Sequence, residues 1–367
     1  MSKNFLAVEN YINSNYNIYY NIVNQCWYNS GKVLNEHELY RNIVNSGLSI
    51  NFNDLVAILK STLIKELNPF QNFFSNLKPY KVGEKDYIGL ICNYIDLSSS
   101  SDYAKFKEQL TKHFVRAIKC CLEDNYFNKH CFVLVGAKQN TGKSTFCRWL
   151  VPSELKEYYT ENISLDKDSL ISLTDNFIIN LDELSTLNRV EINSLKSILS
   201  KDKIKIRKPY ERKASTFSRR CSFFGSTNKS EFLTDETGST RWICFEIDGI
   251  NWEYSKKINV DNIWRQCLQL YKDGYNCELN YNDIAENEDR NNKYNVSTNE
   301  LELCDKHFKA GTIFMTATDI QAELSLKYPN FKLNIINIGK AMVALNMVKK
   351  TLFNGTYSIK GYLIDRV

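Results

Sequence analysis

Strand-like apolar runs alternate with amphipathic helical segments, and this alternation predicts an α/β fold with a largely parallel sheet flanked by helices. The apolar runs typical of strands lie near residues 132–135, 177–181, 204–207, 222–224 and 242–247. The chain has 367 residues, of which 43% are hydrophobic, so it exceeds one typical domain and can bury sizeable cores.

The first hundred residues predict a mixed α+β domain in which we find no chemistry. Predicted helices cover 5–15, 36–45, 53–60 and 69–77, and a hairpin is expected around Asn29-Ser30-Gly31. A long helix then follows over 103–124, because apolar residues recur at intervals of four and form one stripe, namely Phe106, Leu110, Phe114, Ile118 and Leu122.

The C-terminal third predicts helices at 260–272, 317–326 and 335–347, with an exposed helix or linker at 286–295. A hairpin is expected at Asn354-Gly355, and two helices followed by a hairpin are typical of a winged-helix-like domain. The predicted core stripe of its second helix is Ile335, Ile338, Met342 and Leu345. The predicted domains are an N-terminal domain (1–100), a central α/β core with its preceding helix (101–255), a helical linker region (256–310) and the winged-helix-like domain (311–367).

The most specific motif follows the first predicted strand of the core, where Gly136 begins a loop that ends in Gly142-Lys143-Ser144. Such a loop can wrap phosphates with backbone N–H groups, while the lysine reaches the β and γ oxygens and the hydroxyl binds Mg²⁺. ATP and Mg²⁺ are therefore the expected cofactors. The expected nucleotide contacts are Lys138, Gln139, Asn140, Thr141, Gly142, Lys143, Ser144 and Thr145.

One feature departs from the usual spacing of this motif. Five residues, rather than four, separate Gly136 from Gly142, so Ala137 takes the usual glycine position. The alternative is an ordinary loop that contains Gly-Lys-Ser by chance.

Two carboxylates follow the next apolar run, and they complete a hydrolytic set. Asp182 is expected to hold Mg²⁺ with Ser144, and Glu183 to orient or deprotonate the attacking water. An Asp-Glu pair in a solvated loop is the alternative. Asn228, at the end of a later strand, can bond the γ-phosphate or the water, and Arg241 is a candidate arginine finger acting in trans. Either of these could instead be a turn residue.

The segment 201–220 is rich in basic residues, and its pattern predicts a hairpin. Alternation places Lys203, Lys205 and Arg207 on one face of a strand. Further basic residues lie near the expected turn, namely Lys208, Arg212 and Lys213. Such a hairpin can contact the phosphate backbone of DNA without reading its sequence, and a solvated basic face is the alternative.

Composition restricts the remaining possibilities. The net charge of +5 permits a nucleic-acid partner. The 11 cysteines show no Cys-x-x-Cys spacing and the four histidines are scattered, so we expect reduced thiols in the cytoplasm rather than a disulfide framework or zinc site. The N-terminus lacks a signal-peptide pattern, and no run approaches the roughly 18 apolar residues of a membrane span.

Taken in order, these motifs resemble the virulence-associated E family of phage and mobile-element proteins, which is related to superfamily 3 helicases. The resemblance covers roughly 132–247. It rests on the segments 138–145 (KQNTGKST), 181–184 (LDEL), 207–212 (RKPYER), 224–228 (FGSTN) and 232–238 (FLTDETG). Larger relatives carry a primase domain in front, for which residues 1–100 are too short and too poor in acidic clusters.

The resemblance implies an ATP-driven DNA helicase or translocase with an AAA+-like P-loop ATPase core, acting in replication of a phage, plasmid or other mobile element. It implies a homo-oligomeric ring, such as a hexamer, in the cytoplasm of a bacterium or an infected host. Lys143 and Ser144 then match Walker A, Asp182 and Glu183 match Walker B, and Asn228 matches the sensor. Thr240 stands where many relatives carry a second arginine, which leaves Arg219 and Arg220 as competing fingers. A nucleotide-switched scaffold or loader and a small-molecule kinase remain the rival functions.

Overall fold

The computed structural model describes residues 5–81, 83–136, 138–163, 168–182, 184, 189–206, 214–228, 231–233, 239–294, 298–353 and 355–367, with the backbone alone at 168–169 and 189–190. The chain divides into two compact units, Met1–Lys293 and Tyr294–Val367. No helix in the described part of the chain combines the length and the apolar character that a membrane crossing needs.

The helices of the first unit are α1 (Phe5–Asn15), α2 (Glu36–Asn45), α3 (Phe52–Leu59), α4 (Pro69–Asn76), α5 (Tyr87–Cys92), α6 (Tyr103–Leu122), α7 (Lys143–Trp149), α8 (Asp168–Asp175), α9 (Arg189–Leu199), α10 (Tyr254–Lys257), α11 (Val260–Lys272) and α12 (Tyr281–Asn292). A 3₁₀ helix covers Ser153–Tyr158.

The strands of the first unit are β1 (Ile18–Asn21), β2 (Cys26–Asn29), β3 (Lys32–Val33), β4 (Lys65–Leu67), β5 (Ile95–Leu97), β6 (Cys131–Val135), β7 (Tyr159–Glu161), β8 (Ile178–Leu181), β9 (Lys203–Ile206), β10 (Ser215–Ser218), β11 (Ser222–Thr227) and β12 (Trp242–Ile250).

The N-terminal part forms a small sheet with strand order β3-β2-β1-β4, in which β1 and β4 run parallel. Ser30 (φ 50°) and Gly31 (φ 84°) both adopt left-handed conformations in the two-residue turn between β2 and β3. Two positive φ angles match the right-handed twist of the paired strands, so this turn selects glycine at its second position. The predicted hairpin is confirmed.

A six-stranded sheet in the order β5-β12-β6-β11-β8-β7 forms the centre of the first unit. All neighbouring pairs from β12 to β7 are parallel, and β5 joins the edge antiparallel to β12. The predicted α/β fold is confirmed. Because these strands run in one direction, the residues that follow β6, β8 and β11 meet at one edge of the sheet.

Helix α6 covers one face of this sheet. Asp102 caps its start by accepting a hydrogen bond from the Lys105 backbone N–H at 2.7 Å. The predicted stripe is fully buried except at its last residue, Leu122, which is half-buried. The ring of Phe106 meets the ring of Phe245 edge-on at a centroid distance of 5.1 Å. Burying such a side chain stabilises the fold by about 1.5–3 kcal/mol, so this stripe fixes the helix on the sheet.

Helix α12 overlaps the segment 286–295, which the sequence predicts as an exposed helix or linker, and one face of the helix is buried instead. Asn287 and Asn291 are 2% and 0% exposed, and both side-chain amides donate to the carbonyl of Trp242 at 2.7 Å. Among the described residues, β5 pairs with β12 only from Ile247 onward. The buried amides of α12 therefore satisfy backbone groups of β12 that lack a strand partner.

The second unit contains α13 (Asn299–His307), β13 (Phe308–Met315), α14 (Ala317–Lys327), α15 (Ile335–Ala344), β14 (Val348–Phe353) and β15 (Ser358–Arg366). Its antiparallel sheet has the order β13-β15-β14. In the predicted stripe of α15, Ile338 and Met342 are buried, whereas Ile335, the first residue of the helix, is 42% exposed. The core contact of this helix therefore begins at Ile338, one turn later than predicted.

Candidate functional site

The loop that joins β6 to α7 is hereafter called the GKS loop (residues 136–142). It starts and ends with a glycine, and each glycine is required for a steric reason. A Cβ atom on Gly136 would lie 2.9 Å from the carbonyl oxygen of Ile247. Gly142 caps α7 with a φ of 86°, and a Cβ there would lie 3.1 Å from the Trp252 ring. Both positions exclude larger residues. Ala137, at the irregular position of the motif, lies outside the described residues.

Lys143 is the first residue of α7, and its side chain folds back into the GKS loop. Its Nζ donates to Thr141 Oγ1 and Asn228 Oδ1 at 2.8 Å, and to the carbonyls of Gly136 and Lys138 at 3.3 Å. These four acceptors are uncharged. Burial lowers the pKa of Lys143, and the negative charge of Asp182 offsets part of that shift.

Asp182 follows the last residue of β8 and is held from three sides. Its Oδ1 accepts a hydrogen bond from Ser144 Oγ at 2.8 Å and another from the hydroxyl of Ser226. Its backbone N–H donates to Asn162 Oδ1 at 2.9 Å. The hydroxyl of Ser144 and the carboxylate are both oxygen donors of the kind that Mg²⁺ prefers, so this pair fits the expected magnesium site.

Asn228 follows β11, the strand that lies between β6 and β8. The backbone N–H of Gly136 donates to the carbonyl of Thr227 at 3.0 Å, which ties the GKS loop to the end of β11. Asn228 follows the end of its strand, and its side chain lies beside Lys143.

A cleft of about 520 Å³ opens at this edge of the sheet. It is lined by Gln139, Asn140, Thr141, Gly142, Lys143, Ser144, Thr145, Asp182, Ser226, Thr227, Asn228 and Trp252. Its volume falls within the range of small-molecule sites. The structure thus brings together most of the predicted nucleotide contacts, the predicted metal ligands and Asn228. Lys138 contributes its backbone carbonyl to the bonds of Lys143.

Several predicted residues lie outside the described part of the chain. Glu183, the candidate for activating water, is one of them. The others are basic residues of the hairpin, namely Arg207, Lys208, Arg212 and Lys213. Their predicted roles stay predictions.

The described part of the basic segment forms the two strands of a hairpin, since β9 and β10 pair antiparallel. Lys203 and Lys205 are exposed, whereas Ile204 and Ile206, which alternate with them along β9, are buried. Lys203 Nζ donates to the carbonyl of Asp124 at 3.0 Å, so its ammonium group is held at the base of the hairpin. Lys205 extends from the same face, farther from the base.

Arg241 is not part of the cleft in its own chain. Its carbonyl accepts from the N–H of Cys131, the first residue of β6, and its guanidinium donates to Ser200 Oγ at 2.9 Å. It therefore lies at the amino end of the strands, opposite the GKS loop. A contribution from Arg241 to a cleft requires another copy of the chain, which stays a prediction.

The two competing arginines have structural partners. Arg219 is fully buried and donates to the carbonyls of Leu199 and Asn128 at 2.6 Å. Arg220 donates to the carbonyl of Cys121 at 3.1 Å and pairs with Asp124. Both guanidinium groups thus have partners within their own chain, and a finger role for either arginine stays a prediction.

Three residues of the site were not assigned by the sequence. Ser226 lies in the segment 224–228, which carries part of the family resemblance, but the sequence predicts no role for its hydroxyl. Asn162 adopts a left-handed conformation (φ 57°) after β7, and this bend aims its side chain at Asp182. An asparagine at the end of a short strand is the only sequence signal for it. Trp252 follows β12 and reaches the cleft over Gly142.

Together, fold and site define an α/β protein with a lysine-containing cleft at the carboxyl ends of parallel strands. The family model for the virulence-associated protein E-like domain matches residues 83–296, more than half of the chain. The chain belongs to this family, and the predicted resemblance is confirmed.

Solved structures of the NrS-1 C-terminal region, all in apo form, are similar to the chain over nearly its full length. One gives a TM-score of 0.58 at 12% identity and covers 100% of both chains. Two others give 0.53 at 12% identity and 0.52 at 11% identity, each covering 98% of both chains. At this identity the likeness concerns the fold alone. The comparison with curated proteins gave no match.

Proposed function

We propose that this chain is a DNA-stimulated ATPase that unwinds or translocates on DNA during replication of a phage, plasmid or other mobile element. The observation that carries the proposal is the convergence of Lys143, Ser144, Asp182 and Asn228 on one cleft. A cation, two magnesium-type oxygen donors and a polar amide are the groups that a triphosphate requires.

In this proposal the ammonium of Lys143 exchanges neutral acceptors for the β and γ oxygens of ATP. The negative charge of the phosphates would also offset the effect of burial, which lowers the pKa of Lys143. Backbone N–H groups at the start of α7 would hold the phosphates with the help of the helix dipole. Mg²⁺ bound by Ser144 and Asp182 would neutralise charge that develops on the phosphoryl oxygens.

Glu183 would orient or deprotonate the attacking water, because it follows the metal-binding carboxylate directly in sequence. Asn228 would respond to the γ-phosphate. In the structure its Oδ1 accepts from Lys143 Nζ at 2.8 Å, and a triphosphate that engages the ammonium competes with that bond. Hydrolysis would then return Asn228 to Lys143.

Strand β11 offers a direct mechanical link between this response and the basic hairpin. Its carboxyl end carries Asn228, and its amino end follows Arg219, whose N–H donates to the carbonyl of Asp202 at the hairpin base. A shift of β11 would therefore move the hairpin. Lys205 and the basic residues between the two strands would contact the DNA backbone.

The remaining architecture is proposed on the same basis. The first unit would contain an AAA+-like P-loop ATPase core that assembles into a cytoplasmic ring, with Arg241 reaching the cleft of a neighbouring copy. The helix and strand order of the second unit, with sheet order β13-β15-β14, supports a winged-helix role in DNA binding.

The test is the ATPase rate of the full chain with and without single-stranded DNA, alongside its particle size. We expect strong DNA stimulation and a ring-sized particle. ATP-dependent assembly without stimulation would favour a loader or scaffold, and a monomer that phosphorylates a small molecule and ignores DNA would favour a kinase. Either result would contradict the motor.

Two variants and a control connect the rate to the cleft. Lys143→Ala should reduce turnover by about 100-fold or more, the typical cost of a lost electrostatic group. Glu183→Gln should bind ATP but hydrolyse it very slowly. Lys32→Ala, on the exposed edge strand β3, is the control and should leave turnover unchanged.

A further inference from the structure

Trp252 differs from the other tryptophans near the centre of the first unit. Trp242 and Trp264 are fully buried, whereas 51% of Trp252 is exposed. Leaving a large aromatic ring half in water forgoes stabilisation from its burial. Trp252 nonetheless lines the cleft of the GKS loop, and its ring lies beside Gly142.

Trp252 is also the one aromatic residue among the described residues that line this cleft. The others there are the glycine, polar or charged residues of the GKS loop, α7 and the ends of β8 and β11. Within the described ranges, no aromatic ring stacks on the indole, although Trp149 and Tyr254 nearby meet each other at a centroid distance of 4.7 Å. The exposed part of Trp252 is therefore available to a ligand in the cleft.

The backbone around Trp252 is held in place on both sides. The N–H of Asn251 donates to the carbonyl of Tyr94 at 2.8 Å, and Ser255 Oγ donates to the carbonyl of Trp252 at 3.0 Å. Tyr254 is buried and packs edge-on against Phe146 of α7 at a centroid distance of 5.5 Å. The backbone that carries the indole is thus held near α7, which limits the ordering that a ligand would require.

We propose that the indole of Trp252 stacks on the nucleobase of the nucleotide whose phosphates Lys143 and Ser144 hold. This inference rests on the proposed function of the cleft. If so, the site recognises a nucleoside triphosphate by its base as well as by its phosphates. Every nucleobase has a π-face, so stacking adds affinity for nucleotides in general.

The test compares MgATP with magnesium tripolyphosphate, which has the phosphates but no base, by calorimetric titration of the full chain. Trp252→Ala should weaken ATP binding about tenfold, which corresponds to the usual contribution of one stacked base. The same variant should bind tripolyphosphate within about twofold of wild type, which is clearly less than the tenfold loss expected for ATP. Trp252→Phe, which keeps a π-face, should retain most of the affinity for ATP.

Each other outcome overturns a defined part of the account. Equal losses for ATP and tripolyphosphate in Trp252→Ala would mean that the indole only supports Gly142, and no loss for either ligand would mean that it is not involved. Both results refute stacking and leave the proposed function intact. Failure of the wild-type chain to bind either ligand, or tripolyphosphate binding that persists in Lys143→Ala, would refute the proposed function itself.

Discussion

The two ends of the parallel sheet hold cations in opposite ways. At the carboxyl end, Lys143 lines an open cleft, and two of its four acceptors are side chains that can rotate away. At the amino end, Arg219 is fully enclosed and donates to backbone carbonyls. Both cations are buried, so the kind of acceptor, more than the burial, distinguishes a cation that can bind a ligand from one that supports the fold.

The largest effect on turnover expected in this comparison comes from the carboxyl end. Asp182→Asn keeps the shape of the side chain but removes the charge that accepts from Ser144 and Ser226. The ATPase rate should fall by about 10²- to 10³-fold. The control is Asp273→Asn, at the end of α11, which should retain the wild-type rate. A wild-type rate in Asp182→Asn would remove this end of the sheet from the chemistry.

The amino end should respond through stability instead. Arg219→Met leaves several buried carbonyls without a donor, so the free energy of unfolding should fall by about 3 kcal/mol or more. Urea denaturation followed by tryptophan fluorescence measures this loss.

Arg148→Met is the matched control for Arg219. Arg148 belongs to an exposed ion pair with Glu161, so its loss should cost about 1 kcal/mol or less. A stable Arg219→Met protein with a strongly reduced ATPase rate would reverse the assignment and make Arg219 a functional arginine.

Two buried histidines at the amino end of the sheet should make the free energy of unfolding depend on pH. The expected change is slightly smaller than that of Arg219→Met. Burial holds the pKa of His113 well below its usual value, and burial with the nearby Arg116 charge lowers the pKa of His130 to about 2. The unfolded chain takes up both protons near pH 6.5 while the folded chain does not. Stability is therefore complete above that pH and is lost as the pH falls.

Between pH 7.5 and 5.5 each histidine should cost about 1.4 kcal/mol, or about 3 kcal/mol for the pair. Denaturation curves at pH 7.5, 6.5 and 5.5 test this, because that range lies above the titration of ordinary carboxylates. A free energy of unfolding that stays constant across the range would show that neither histidine is kept neutral by the fold.

The smallest effect concerns two lysines of the hairpin that differ in their partners. Lys205 extends from the exposed face of β9, whereas Lys203 donates to the carbonyl of Asp124. Lys205→Ala should reduce the slope of log Kd for single-stranded DNA against log salt by about 0.7–1. Lys203→Ala should change that slope less, and the reverse order would mean that the hairpin base contacts DNA.

Much of the candidate site could be predicted because parallel strands place their carboxyl ends together. The apolar runs before Lys143, Asp182 and Asn228 identify three such strands, so the convergence of these residues follows from the fold class. The position of Arg241 relative to the cleft follows from the same rule, since it precedes its strand instead of following it.

The rest depended on pairings that sequence patterns do not carry. Trp252 reaches the cleft because β12 pairs with β6, and the sequence does not predict which strand β12 pairs with. Asn287 and Asn291 look solvent-exposed by composition, yet they are buried against a part of the β12 edge that no described strand pairs with. Polar residues that satisfy another element's backbone give no periodic apolar signal.

The central claim is that Lys143, Ser144 and Asp182 hold one magnesium triphosphate in the cleft. The most direct measurement is an experimental structure of the full chain with Mg²⁺ and a non-hydrolysable ATP analogue. We expect a γ-phosphate oxygen about 3 Å from Lys143 Nζ, with the metal between the phosphates and the oxygens of Ser144 and Asp182. A nucleotide bound elsewhere, with the bonds of Lys143 to Thr141 and Asn228 unchanged, would contradict the account.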